Sequence, residues 1–233
     1  MASLAKKIVI LALIVTGIYC LLKYSGITYY LSLHNFLENK LWLEDFVARH
    51  YATSVLLYIL SFSLIIILVF PGFPPLTIIG GYLFGVFYGS LYALIGSFIG
   101  SFISFFVIKS FFYEKLRVKY EHRLASFKKN IASSGEANTL LFLHFLTIVP
   151  FFVINTLAAL ADVSLFTFTW TTIVGSLPLL LAYSFAGQKL RSVGAVRDIF
   201  SLPVIALFGM LILLSVVPMI VKRYKRFSVV VEE

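Results

Sequence analysis

Apolar residues run along this chain in blocks of membrane-spanning length, separated by two stretches where they recur at helical spacing. Residues 8–22, 51–70, 90–112 and 198–221 carry few or no charges and reach, or approach, the roughly 20 residues that a membrane helix needs. Within 29–50, Tyr30, Leu33, Leu37 and Leu41 share one side of a predicted helix, with Glu38, Glu44 and Asp45 set against Lys40 and Arg49. A second stripe joins Tyr113, Leu116, Tyr120, Leu124, Phe127 and Ile131. Its other face is basic, with Lys115, Arg117, Lys119, Arg123, Lys128 and Lys129 against Glu114 and Glu121. That pattern predicts a helix lying in the interface against anionic lipid. One stripe is slightly acidic and the other basic, so the two are expected on opposite sides of a membrane.

Two breaks interrupt the apolar blocks. In "PGFPP", Pro71, Gly72, Pro74 and Pro75 fall within five positions. Successive prolines remove backbone donors and clash with preceding carbonyls, so no regular helix passes through. Irregular backbone at membrane depth is tolerated only where protein buries it or a wet cavity meets it. Residues 51–83 are therefore predicted to form a re-entrant hairpin with its tip at "PGFPP". Residues 138–160 form a second, with its tip near Pro150. Each is followed by a small-residue patch and a long apolar helix, 90–112 and 166–187. This suggests an inverted repeat, a recurring way to build a transporter. The expected fold is an all-α polytopic membrane protein with about four transmembrane helices, two re-entrant hairpins and two interfacial amphipathic helices. Residues 1–28 would be a signal anchor, 29–190 the membrane domain, and 191–233 a C-terminal membrane helix with a basic tail.

Composition agrees: 61% of the 233 residues are hydrophobic and only 12% charged, about half the charge of a soluble domain. The net charge of +9 sits in short blocks beside apolar segments, where lysine and arginine face headgroups and set orientation. A nucleic-acid partner is excluded on that ground. With Lys6 and Lys7 in the cytoplasm, 8–22 crosses outward and the acidic helix lies outside. Segment 90–112 then carries Lys109 and the basic helix to the cytoplasm, 166–187 crosses outward, and 198–221 returns. Both termini are then cytoplasmic, while Lys189, Arg191 and Arg197 fall outside, against the bias. The single Cys20 excludes an internal disulfide.

Candidate chemistry is sparse. Gly81, Gly85 and Gly89, then Gly96 and Gly100, recur every four residues, a spacing that lets helices approach closely. They are expected to pack the first hairpin against 90–112. Lys109, His144 and Asp162 are the ionisable groups near membrane depth. Lys109 is expected to snorkel to the interface and Asp162 to cap the helix starting at 163–166. His144 and Asn155 flank Pro150 and have two readings each. They bond backbone freed by the break, or they meet the substrate or its headgroup. There is no metal-ligand cluster, nucleophile elbow or phosphate loop. Neither an enzyme nor a bound cofactor is expected.

The run "FPGFPPLTIIGGYLFGVFYGSLYALIGSFIGSFISFFVIK" resembles the core of the VTT domain of the DedA superfamily, the SNARE-associated Golgi proteins. Pro71, Gly72, Gly81, Phe84, Gly85, Gly89, Gly96, Gly100 and Lys109 match its pattern. In "HFLTIVPFFVINTLAALADVSLFTFTWTTIVGSLPLLLAYSFAG", Pro150, Phe151, Asn155, Thr172, Gly175, Pro178, Tyr183 and Gly187 match. His144 stands where the family usually has arginine, and Thr147 where it often has proline. "SFSLIIILVFPG" lacks the acidic residue of DedA proteins proper. The chain is thus nearer the Tvp and TMEM-type branch, and proton-coupled carrier chemistry is disfavoured. The resemblance implies a lipid transporter, a flippase or scramblase of phospholipid or polyprenyl phosphate. Its lipid path would use Pro71, Gly72, Pro74, Pro75, His144, Pro150 and Asn155, with Lys115, Arg117, Lys119 and Arg123 contacting anionic lipid. A membrane scaffold is the alternative. The expected partners are membrane lipids and further copies of the chain, and the expected location is a bacterial inner membrane.

Overall fold

The computed structural model describes residues 33–69, 72–146 and 149–193. The predicted segments 8–22 and 198–221, the signal anchor, the basic tail and Pro71 lie outside the described residues. Every element described is helical: α1 (Leu33–Arg49), α2 (Tyr51–Ile67), α3 (Phe73–Val107), a π turn (Ile108–Phe112), α4 (Tyr113–Lys119), α5 (Glu121–Ser134), α6 (Glu136–Phe145), α7 (Phe151–Leu160) and α8 (Leu165–Val193).

Although α3 is hydrogen-bonded nearly throughout, it is two helices. Gly85 at φ 80°, ψ 176° leaves helical geometry and enters a region open essentially to glycine alone. Residues 73–84 (α3a) fold back there against 86–107 (α3b). A Cβ on Gly89 would lie 2.6 Å from the Gly80 carbonyl oxygen, a separation that a straight helix of nine residues forbids. The sequence pattern reads Gly85 as a packing glycine, but a Cβ there would meet nothing within 4 Å. It is the corner. Gly135, at φ 80° and ψ 156°, makes a similar corner between α5 and α6.

Each remaining glycine of the motif has a specific neighbour. Gly96 faces Ile59 and Phe62, and Gly100 faces Ser63 and Ile66, so α2 lies along α3b. Gly80 accommodates the Tyr58 ring inside the first hairpin. Gly81 abuts the Ser184 backbone, and Gly187 abuts Ile78 and Tyr82, so α8 crosses α3a at backbone contact. Gly81 thus seats α8 on α3a. Hydroxyls in these apolar helices mostly return to their own carbonyls, as Thr77 to Phe73 (2.7 Å) and Ser176 to Thr172 (2.7 Å). Ser63 also donates to the Gly96 carbonyl of α3b at 3.0 Å, joining two helices where no water competes.

α3b and α8 run antiparallel: Phe105 stacks near Phe168 with ring centroids 4.7 Å apart, and Ser90 donates to Leu180. They are the long apolar helices among the described residues; α3b covers about 33 Å and α8 more. One end of the bundle gathers the start of α2, the Gly85 corner and the end of α8. There Tyr51 and Tyr92 share a hydrogen bond, the Val86 N–H donates to Gln188, and Arg191 lies 4.0 Å from Glu44. At the other end Lys109 lies 3.5 Å from Asp162, and the Ser164 N–H donates to Glu136. The α2–α3a hairpin starts from the first end and α6–α7 from the second.

The amphipathic stretches depart from their expected setting. The basic stripe splits at Tyr120 into α4 and α5. Its apolar face is not laid on lipid: Leu124 and Phe127 are buried, with Tyr113, Leu116 and Ile131 packed on the cluster around Ile154 and Phe168. In α1 it is Phe36, Leu43 and Val47 that pack inward, while Leu41 and Trp42 point out. α1 bends away from α2 by 118° at His50.

Two glycines give contrasting tests of this architecture. Gly187→Ala forces a methyl into the backbone of α3a, a steric cost of about 2–3 kcal/mol. Gly85→Ala meets no neighbour but must hold a glycine-only conformation, costing ~1–3 kcal/mol. Both should lower the thermal midpoint in detergent. Trimming the Ile78 side chain to alanine should not rescue Gly187→Ala, because the atoms its methyl meets, at Ile78 and Tyr82, are backbone.

Candidate functional site at the hairpin tips

The two hairpins meet tip to tip. Gly72 caps α3 and Pro74 and Pro75 occupy its first turn, where backbone N–H groups have no intrahelical partner. The prolines thus delete two donors that apolar surroundings would leave unpaired. Pro150 does the same as the N-cap of α7, in extended geometry, while its carbonyl accepts from Val153 at 2.9 Å. These two starts thus carry fewer N–H donors than ordinary helix starts.

Phe73 and Phe151 bring their rings to 5.1 Å across the junction, and Phe73 also meets Phe62 and Tyr183 edge-on. Beside this contact lies a cavity of about 350 Å3. It is lined by Val69, Phe73 and Pro74 of the first tip, His144, Pro150 and Phe151 of the second, and Ser176 of α8. Pro74 thus shares one cavity wall with His144 and Pro150, although these lie 70 residues or more further along the chain. Gly72 and Pro75 shape the first tip without lining the cavity.

His144 is 5% exposed. Its Nδ1 donates to the Leu140 carbonyl at 2.9 Å, one turn earlier on α6, which leaves Nε2 as an acceptor. No described residue partners Nε2. The carbonyl it bonds belongs to the intact helix, not to the break. Gly175 fixes the ring against α8: a Cβ there would lie 2.6 Å from that of His144. Asn155 is fully buried on α7, off the cavity lining, with neither amide atom hydrogen-bonded among the described residues. Among the described residues it makes neither of the contacts expected from its place near Pro150.

Lys109 does not snorkel free; it pairs with Asp162, both half-exposed, and its ammonium sits 5.7 Å from the Phe105 ring centroid. Asp162 adopts φ 59° and is not the cap. Ser164 caps α8, its hydroxyl accepting the Thr167 N–H at 3.2 Å. Tyr113 donates to Asp162 at 2.8 Å, and that hydrogen bond holds its phenol pKa above the usual range. An exposed pair of this kind contributes at most about 1 kcal/mol. Lys115, Arg117 and Lys119 are exposed on α4, far along the chain from the tips. The Arg123 side chain lies outside what is described.

The fold and site define a helical membrane protein built around two long apolar helices and two broken ones. Residues 70–189, more than half the chain, match the family model of the VTT domain. The chain belongs to the VTT-domain family, within the DedA superfamily. A "Transmembrane protein 41 homolog" of Caenorhabditis elegans is 26% identical over 155 residues, 66% of this chain and 63% of that protein. The chain therefore spans a little under two thirds of that relative. No solved structure matches significantly.

The aromatic contact escaped the sequence pattern because Phe73 is one of 24 phenylalanines; only its place between prolines set it apart. A double-mutant cycle of Phe73→Ala and Phe151→Ala should return a coupling of about 0.5–1.5 kcal/mol. Unfolding midpoints of the four proteins measure it, and strict additivity would show the tips to be independent.

Proposed function

We propose that this VTT-family protein moves lipid between bilayer leaflets, as a scramblase or flippase, with the tip cavity on the lipid's polar path. The observation that carries this reading is the meeting of two hairpins, started from opposite ends of the bundle, at one cavity beside the long apolar helices. With α3b and α8 as spans, both hairpins are re-entrant and thin the barrier between the two faces. The segments 8–22 and 198–221 supply the remaining spans of an inverted-repeat protein with cytoplasmic termini. Irregular backbone fits at that depth because protein covers it and because its prolines have removed surplus donors. The exposed basic face of α4 and α5 gathers anionic lipid at the cytoplasmic end. That same face favours a second reading, a scaffold that recruits partners electrostatically without moving lipid.

The test is leaflet exchange of fluorescent phospholipid and of a polyprenyl phosphate in liposomes holding the purified protein. Pro74→Ala/Pro75→Ala adds two unpaired donors at the tip and should slow exchange at least tenfold. Exchange untouched by this double variant would remove the tips from the path. Folded protein that exchanges neither lipid would favour the scaffold, whose partner capture should instead fail when Lys115, Arg117 and Lys119 are neutralised.

A further inference from the structure

The cavity between the tips is apolar except at two positions, and these are not equivalent. The Ser176 hydroxyl is committed to the Thr172 carbonyl at 2.7 Å. His144 Nε2 has no partner among the described residues and is itself buried, on a side chain 5% exposed, so a ligand in the cavity reaches it only by displacing the wall beside it. A buried polar atom without a partner loses the hydrogen bonds it would make in water. The surroundings hold it in place from three sides: Nδ1 is tied to Leu140, the Cβ is pressed on Gly175, and Phe151 meets the ring edge-on at 5.8 Å. With Nδ1 carrying the proton, Nε2 can only accept. A lone fixed acceptor in an apolar cavity discriminates by what a ligand lacks. A ligand polar group with an N–H or O–H satisfies it; one without a donor leaves it unpaired and displaces anything that would.

We infer that His144 Nε2 is a headgroup-selecting acceptor, so that lipids whose headgroup carries an N–H or O–H donor are preferred over lipids whose headgroup carries none. This rests on the lipid-moving reading above and names its substrate class: amine- or hydroxyl-bearing headgroups, with quaternary ammonium disfavoured. The neighbouring first-tip residues reinforce the choice. Pro74 and Pro75 offer no N–H, so the tip contributes little that would compensate an acceptor-only headgroup.

The test uses acyl-labelled phosphatidylethanolamine and its mono-, di- and trimethylated forms as tracers in one host bilayer. Along this series the charge is kept while the donors fall to none at the last step. Leaflet exchange by the full chain should drop roughly fivefold between the dimethyl and trimethyl lipids, the loss of about one hydrogen bond. His144→Phe should bring that ratio close to one, and His144→Gln, which restores an acceptor, should recover it. Equal rates across the series in the unaltered protein would overturn the inference, as would a step that persists in His144→Phe, since selection would then be by size. A parallel arm measures thermal stabilisation of the detergent-purified protein by the dimethyl and trimethyl lipids. Stabilisation by the dimethyl lipid alone, lost in His144→Phe, with no exchange of any tracer, would sink the transport reading and keep the headgroup site. Neither exchange nor differential stabilisation would sink both.

Discussion

A chain that breaks its helices inside an apolar bundle must still account for every backbone donor, and this constraint shapes the centre of the molecule. Each helix start normally leaves several N–H groups without partners. Here the two starts at the centre carry Pro74, Pro75 and Pro150 in or just before their first turn. The residues that end the preceding helices are also the ones that make the next starts tolerable. Because the tips carry few loose donors, they can pack on each other through Phe73 and Phe151 instead of through water. The tip-to-tip contact follows from the proline chemistry. The cavity follows from the contact.

What holds the tips in register is backbone proximity. With little hydrophobic driving force between helices in lipid, close van der Waals approach and interhelical hydrogen bonds carry association. Gly81 and Gly187 bring α3a and α8 to a separation where a methyl has no room, and Gly175 seats α6 on α8 at His144. Close-packed interfaces of this kind deform little.

The legible part of this fold was the part written in proline and in long apolar runs. "PGFPP" and Pro150 mark breaks because proline has one meaning in a helix interior. Glycine has two. Gly85 continues a four-residue spacing with Gly81 and Gly89, so periodicity reads it as packing, yet its backbone is the corner; only the φ angle separates the readings. The basic stripe shows a second ambiguity. Spacing identifies Leu124 and Phe127 as one apolar face but is silent on whether lipid or protein covers it, and here protein does. Asp162 and Ser164 both suit a helix cap; the ion pair with Lys109 claimed the first and left the cap to the second. The site was legible as a list, Pro74, His144 and Pro150, but not as a place, since their convergence depends on a crossing of α8 that no local pattern encodes.

His144 shows how function can be read from what a fold leaves undone. Two accounts fit a histidine near a break: it repairs the break, or it serves something outside the protein. Repair would direct the ring toward carbonyls freed at the break. Instead Nδ1 bonds Leu140, whose carbonyl lies in the intact part of α6, and the other nitrogen has no partner among the described residues, on a side chain that lines the cavity. The first account thus loses its motive. Packing alone would be served better by leucine or phenylalanine at this position, because neither carries an acceptor that must be satisfied. A buried acceptor on a side chain that lines the cavity and is seated on Gly175 gains a physical rationale if a donor visits it.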